Sequence, residues 1–186
     1  MISTVDNLEE SQYNSSNSSE GDDMKLNLNK IISHVRDREY MSGVERDRAR
    51  VKATGEVFTP THLVQEMLDT VPQSAFVDTE KTFLDPTCGD GQFLGEILIR
   101  KMEANRRGRC ISIDKAFELA LSTIYGVDLM QDNVDECRRR LLCGQEHLRH
   151  IVENNIVCAD TLTYDFKFGE PPTYDDGNLL ALFDES

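Results

Sequence analysis

Residues 83–93 read F-L-D-P-T-C-G-D-G-Q-F, and this segment carries the clearest indication of the fold class. An apolar pair precedes Asp85, two glycines separated by one residue follow it, and an apolar helical pattern begins at position 92. Gly89 and Gly91 lack a Cβ, so the backbone can turn sharply there and approach a ligand closely. A strand, a glycine loop and a helix N-terminus in this order predict the first unit of an α/β fold.

Strand and helix signals alternate on both sides of this loop. Apolar segments predict strands at residues 82–84, 124–127, 155–158 and 179–183. Apolar residues at helical spacing predict helices at about residues 60–71, 92–105, 115–121, 132–142 and 146–153. Thr59 is the expected N-cap of the first of these helices, with Pro60 as its first residue. Strands separated by helices predict a parallel sheet with right-handed crossovers.

Three of the predicted strands end in an aspartate, at Asp85, Asp128 and Asp160. In an open parallel sheet, ligands bind in the crevice beyond the carboxyl ends of the strands, so these acids are expected to face one crevice. The helix N-terminus after the loop suits an anionic group, but Asp85 and Asp90 would repel a phosphate. The acids favour a ligand with positive charge. S-adenosylmethionine fits, since it carries an ammonium and a sulfonium against one carboxylate.

Each of these acids has an expected role toward such a ligand. Asp128 suits a ribose diol, as does the acid after the second strand of dinucleotide-binding folds. It lies 43 positions beyond Asp85, which leaves room for an inserted helix and weakens the simple dinucleotide interpretation. Asp160 is expected to accept a hydrogen bond from an adenine amino group, with Phe93, Leu129 and Ile156 around the ring.

Four segments together resemble N6-adenine DNA methyltransferases, in the class that includes type I modification subunits. Residues 54–60, T-G-E-V-F-T-P, resemble a "G-x-F-x-T-P" segment that contacts the methionine part of the methyl donor in that family. Residues 83–94 resemble its "D-P-x-C-G-x-G-x-F" donor loop, and residues 125–129 and 155–162 resemble the ribose and adenine segments. The resemblance covers about residues 42–165. It implies a Rossmann-like class I methyltransferase sandwich with S-adenosyl-L-methionine as cofactor.

The resemblance implies the following donor-binding residues: Phe58, Thr59, Pro60, Asp85, Pro86, Cys88, Gly89, Gly91, Phe93, Asp128, Leu129, Asp160 and Thr161. It makes Cys88 a small packing residue of the loop, although a cysteine there invites comparison with a nucleophile. No histidine lies near Cys88 in the sequence to activate it.

The catalytic segment of that family, Asn/Asp/Ser-Pro-Pro-Tyr/Phe, does not occur in these 186 residues. In the family, its amide and a carbonyl accept hydrogen bonds from the adenine amino group while the aromatic ring stacks on the flipped base. The nearest string is residues 169–174, G-E-P-P-T-Y, in which Glu170 replaces the amide and Thr173 separates the prolines from the tyrosine. Glu170, Pro171, Pro172 and Tyr174 are therefore weak catalytic candidates, and a surface loop before strand 179–183 is the alternative.

Four interpretations of the function stay open at this point. The chain is expected to act as a methyltransferase with a partner that supplies the catalytic loop and the DNA contacts, because its sequence stops about where that loop should begin. The alternatives are a donor-binding regulator without catalysis, a small enzyme with a divergent loop at Glu170–Tyr174, and an interaction module that has lost its ligand. The sheet is expected to be truncated at its C-terminal edge, and an exposed edge at residues 179–183 predicts a homo-oligomer or a second polypeptide there.

The net negative charge of the chain disfavours direct nucleic-acid binding. Lys plus Arg number 20 and Asp plus Glu 34, a formal charge of −14. Residues 1–25 are rich in Ser, Asn and acids and predict a disordered acidic tail, with a partner-binding arm as the alternative. Residues 26–53 predict one or two exposed lead-in helices, and residues 54–186 the donor-binding domain. DNA contact is thus expected indirectly, through another subunit or domain.

The remaining features predict neither a membrane protein nor a metal protein. No apolar run approaches the roughly 20 residues that a membrane-spanning helix needs, and because residues 1–6 hold neither a basic start nor an apolar stretch, we expect no secretory signal. Five cysteines without a CxxC pair favour reduced thiols in a cytoplasm-like compartment, in a microbial or virus-infected cell by resemblance. His147 and His150 are spaced for a shared metal on a helix, but no acid or thiol completes the site.

Overall fold

The strands of this protein form a small parallel sheet. The computed structural model describes residues 26–37, 59–109 and 111–169. Within them the sheet has the order β1-β2-β3, with bounds β1 Phe83–Asp85, β2 Ile124–Asp128 and β3 Ile156–Cys158. The chain is therefore mixed α/β with a parallel sheet, as the alternating pattern predicts.

Helices connect these strands and flank the sheet. The α-helices of the described residues are α1 Leu28–Arg36, α2 Thr61–Asp69, α3 Gln73–Val77, α4 Gln92–Arg109, α5 Ile113–Leu121, α6 Gln131–Leu142 and α7 Arg149–Asn155. A 3-10 turn at Glu146–Leu148 leads into α7. Asn27 and Ser112 cap α1 and α5, because their side-chain oxygens accept the N–H groups of Lys30 and Lys115. The short helix α3 was not predicted.

Helix α4 is the centre of the packing. It contacts β1 and β2 as well as α1, α2, α3, α5 and α6. Leu94, Leu98 and Met102 lie on it with no exposed surface. Gly126 in β2 permits this approach, since a Cβ there would lie 2.8 Å from a methyl carbon of Leu94. The N-terminal end of α4, which follows the glycine loop, is thereby fixed against the sheet.

The two faces of the sheet are covered differently within the described residues. Ile124 and Ile156 face the main core, which the helices build. The alternate positions Val127 and Val157 form a second, smaller cluster with Ala159 on the other face, as the pleat of a strand requires. Tyr164 and Phe168, which follow β3, pack against this cluster. The chain after Asp160 thus folds back over the second face.

Helix α1 corrects the expectation of exposed lead-in helices. Its Ile31 and Val35 are buried in the main core, and a Cβ on Gly95 of α4 would lie 2.6 Å from a methyl carbon of Val35. Arg36 binds Glu96 with two hydrogen bonds of 2.7 and 2.9 Å. Arg36 and Glu96 lie 60 positions apart in the sequence, so only the fold brings this pair together and buries α1 against α4.

Helix α2 begins one residue later than predicted. Pro60, not Thr59, is the N-cap, because its extended backbone (ψ 143°) leaves its carbonyl to accept the N–H groups of Leu63 and Val64. Val64 is buried as expected, whereas Leu63 and Met67 are 41% and 49% exposed. Fewer apolar residues of this helix are buried than its sequence pattern predicts, because one neighbouring helix, α4, covers this face.

Several predicted segments lie outside the described residues. They are the tail at 1–25, the lead-in at 38–53, Phe58, the string Glu170–Tyr174 and the predicted strand 179–183. Across the parts of the chain that the structure describes, no helix combines the length and apolar character that crossing a bilayer requires.

Candidate functional site

Backbone hydrogen bonds hold the glycine loop in a tight turn. The N–H of Cys88 donates to the carbonyl of Val127 over 2.9 Å, which joins the loop to β2, and the N–H of Gly91 donates to the carbonyl of Cys88 over 2.9 Å. Gly89 and Gly91 have φ of +52° and +83°, in the left-handed region that side chains disfavour. A Cβ on Gly89 would meet nothing within 4 Å, so the surface above this glycine is open.

Asp128 joins the glycine loop to the end of β2. Its Oδ2 accepts the N–H of Gly89 over 2.9 Å. Its Oδ1 accepts the N–H of Met130 over 2.9 Å and the side-chain amide of Asn133 over 3.1 Å. A carboxylate oxygen has two lone pairs, so these three bonds leave one acceptor position, on Oδ2. The side chain is oriented before any ligand binds.

Asp85 lies beside Asp128 at the end of β1. Its Oδ1 accepts the N–H of Thr87 over 3.1 Å. Burial, and secondarily the charge of Asp128, raise the pKa of Asp85 above its ordinary value, although the Thr87 bond opposes this. Two neighbouring carboxylates, one of them desolvated, favour a cationic ligand over an anionic one.

The segment after β3 closes against the glycine loop. Asp160 accepts the N–H of Leu162 at its Oδ1 over 2.9 Å, which forms a tight turn. The Thr161 hydroxyl donates to the carbonyl of Pro86. The N–H of Ala159 donates to the Asp128 carbonyl over 3.0 Å. The ends of β1, β2 and β3 are thus connected to one another by direct hydrogen bonds.

Two side chains that we expected to face the crevice are buried elsewhere. Asp90 is 1% exposed and pairs with Arg140 of α6, so it neither repels an anion nor attracts a cation in the crevice. Ile156 has no exposed surface and belongs to the main core, so it does not contact an adenine ring. Both predictions were wrong because sequence order does not reveal which side of a loop or strand a neighbouring helix covers. Phe93 is half-buried and Leu129 is 48% exposed, and their contact with an adenine ring stays a prediction.

The threonine-proline segment reaches the loop through a side-chain bond. Gln92, the first residue of α4, donates from Nε2 to the Thr61 hydroxyl over 2.9 Å. Thr59 and Pro60 directly precede this threonine. Phe58 and the catalytic candidates Glu170, Pro171, Pro172 and Tyr174 lie outside the described residues.

Neither nucleophilic nor metal chemistry is favoured at the described part of the site. Cys88 is buried, and its contact with Cys137 and its burial raise its pKa well above the ordinary value, which disfavours a thiolate. His147 and His150 are exposed, and the described residues contain no group of three or more His, Cys, Asp or Glu side chains able to hold a metal ion.

Helix α6 contributes two residues that sequence reasoning missed. Asn133 orients Asp128, and Arg140 holds Asp90. Of the three consecutive arginines at 138–140, Arg139 pairs with Glu136 on its own helix, whereas the buried Arg140 pairs with Asp90 of the glycine loop in addition to Glu136. Helical periodicity held the missing signal, because Asn133 and Arg140 share a face with the inward Cys137.

Comparison with known proteins gives one informative similarity. The chain is 30% identical over 128 residues to the type II methyltransferase M.VspI of Vibrio sp. (strain 343). The aligned region covers 63% of this chain and 25% of that protein. The chain thus spans about a quarter of the length of this curated relative. No family model matches the chain, and no solved structure matches it. The similarity supports a relationship to methyltransferases over part of the chain.

Proposed function

We propose that this chain binds S-adenosyl-L-methionine and belongs to a DNA methyltransferase of the adenine-N6 type, with a Rossmann-like class I methyltransferase fold. The observation that carries the proposal is the hydrogen bond between the Gly89 N–H and Asp128, with the Asp85 carboxylate beside it. It joins a glycine loop and two strand-end acids at the edge of a parallel sheet where ligands bind. The similarity to a type II methyltransferase supports the same conclusion.

The described residues fit this cofactor. The space above Gly89 leaves the loop backbone accessible, and the Asp85–Asp128 pair favours a ligand with net positive charge. The remaining acceptor position on Asp128 suits one ribose hydroxyl. Exposed Leu129 and Leu162 offer apolar contacts for an adenine ring, and Asp160 an acceptor for its amino group.

When bound, S-adenosylmethionine would supply an electrophilic methyl group on a sulfonium sulfur. The residues of this chain would bind and orient the donor. Asp85 would hold the positive end, Asp128 the ribose, and the Gly89–Gly91 turn would let the backbone approach. Thr59 and Pro60, with Phe58, would line the methionine end, as the resemblance implies.

The acceptor side of the reaction is proposed to involve a partner. The formal charge of −14 disfavours a direct DNA grip by this chain, and the sequence holds no Asn/Asp/Ser-Pro-Pro-Tyr/Phe segment. DNA binding would then come from another subunit or domain, and residues 179–183 are the proposed contact for a second copy or a second polypeptide.

The second candidate is a donor-binding regulator that does not transfer the methyl group. The string at residues 169–174 favours it, since Glu170 stands where the family motif has Asn, Asp or Ser and Thr173 separates the prolines from Tyr174. The same donor site serves both candidates, and only transfer separates them.

Titration calorimetry of the chain with S-adenosylmethionine, followed by tritium transfer to unmethylated DNA, tests both candidates. Asp128→Ala is the site variant, and Asp114→Ala, which removes an exposed acid of α5, is the matched control. Binding by the wild type and the control with loss in Asp128→Ala supports the donor site. Absence of binding by the wild type refutes the proposal.

Transfer to DNA by the chain alone would point to a divergent catalytic loop, and Tyr174→Ala would be the first variant to test. Binding without transfer favours a required partner or the regulator. Adding the target-binding part of a methyltransferase separates these two. Methyl transfer that then appears favours a required partner, and continued absence of transfer favours the regulator.

A further inference from the structure

Arg140 forms a buried ion pair beneath the glycine loop. Its side chain is 1% exposed and that of Asp90 is 2% exposed, and its Nη2 lies 3.0 Å from Asp90 Oδ2. The same guanidinium donates from Nη1 to Gln92 Oε1 over 3.0 Å. Gly91 lies between these two partners in sequence. Arg140 therefore bonds the residues on both sides of Gly91, whose φ is +83°.

The contacts continue from the loop to α2. Gln92 accepts from Arg140 at its oxygen and donates from its nitrogen to Thr61 over 2.9 Å. This chain of side chains connects α6, the glycine loop and the residue that follows Thr59 and Pro60. Two segments expected to line the donor are thus joined through Arg140.

One face of α6 contacts both the glycine loop and Asp128. Asn133, Cys137 and Arg140 are spaced i, i+4 and i+7 and lie on the same side of the helix. Asn133 donates to Asp128, and Cys137 packs under Gly91, where a Cβ would meet its Sγ at 2.6 Å. Arg140 completes this face at the Asp90 side of the loop.

We infer that Arg140 is a positioning residue for the methyl donor, which fixes the glycine loop through Asp90 and Gln92 without touching the donor. The inference rests on the proposed function and deepens it. A buried ion pair by itself adds little net stability, because desolvation offsets the attraction, so its main effect here is on loop geometry. The planar fork of an arginine holds two partners in fixed directions, which a lysine does not.

The test compares three proteins. In Arg140→Met/Asp90→Ala both buried charges are absent, so neither is left unpaired and the fold is expected to persist. Arg140→Lys keeps the charge beside Asp90 but loses the fork, and serves if the double variant does not fold. Arg139→Met changes the neighbouring exposed arginine and is the matched control.

Two measurements are made on each folded variant at the same temperature, well below its Tm. Amide exchange by NMR reports the loop without any ligand, since the N–H groups of Gly89 and Gly91 are both hydrogen-bonded. We expect their exchange to be about tenfold faster in the double variant, with the amide of Leu98 in α4 unchanged. Calorimetry with S-adenosylmethionine is expected to show a Kd raised about tenfold, with Arg139→Met like the wild type.

Wild-type exchange at Gly89 and Gly91 in a folded double variant overturns the inference. Faster exchange with unchanged donor affinity also overturns it, because the loop order would then not matter for the donor. If the wild type does not bind S-adenosylmethionine, the proposed function fails and the donor role fails with it, whereas the exchange result still decides whether Arg140 orders the loop.

Discussion

Replacing Asp128 by Asn is the sharpest perturbation of the proposed donor site. The substitution keeps the volume of the side chain but removes its charge and exchanges one acceptor oxygen for an N–H₂ group. Asp128 accepts three protein hydrogen bonds, two at Oδ1 and one at Oδ2. An amide cannot accept all three. In one orientation its nitrogen faces the N–H of Gly89, and in the flipped orientation its nitrogen faces the N–H of Met130.

The expected loss follows from the count of acceptor positions. One position remains on Oδ2, so one ribose hydroxyl, not both, is expected to bind there. A hydrogen bond to a charged group is worth about 1.5–3 kcal/mol, which corresponds to a Kd raised about tenfold to a hundredfold. The lost bond to Gly89 also lowers the free energy of unfolding, by about 1–3 kcal/mol.

Titration calorimetry with S-adenosylmethionine measures the first effect and thermal unfolding measures the second. Asp114→Asn is the control, since it removes one exposed charge on α5. A folded Asp128→Asn protein with wild-type donor affinity would refute the assignment of the ribose to this carboxylate. Equal losses in both variants would mean that only the overall charge matters.

Three further predictions concern Asp85, the glycines of the loop and helix α4, and the buried Lys101. Since a cationic donor favours ionised Asp85, whose pKa is raised, calorimetry should show donor affinity falling as the pH drops through that pKa, and Asp85→Asn should flatten the fall. Gly91→Ala should lower the free energy of unfolding by about 1–3 kcal/mol, given its positive φ and the Cys137 contact, whereas Gly108→Ala, with open space, should raise it by about 0.5–1 kcal/mol. Lys101→Met removes bonds to two carbonyls and should cost about 2–3 kcal/mol in denaturant unfolding.

Much of the candidate site follows from positions in the sequence. Asp85 and Asp128 end β1 and β2, Asp160 follows the end of β3 by two residues, and parallel strands bring their carboxyl ends to one edge. Gly89 and Gly91 predict the tight loop, and both have positive φ. The donor-binding roles of these residues stay predictions until binding is measured.

The α/β class, the parallel strands and the loop could be predicted from the amino-acid sequence, because they depend on local periodicity and on residues with special backbone freedom. The inward turn of Asp90 to Arg140 and the pair between Arg36 and Glu96 are visible only in the folded structure. Partners 50 and 60 positions apart leave no periodic signal. The charge of a side chain predicts exposure on average, whereas its actual partner depends on which helix the fold packs beside it.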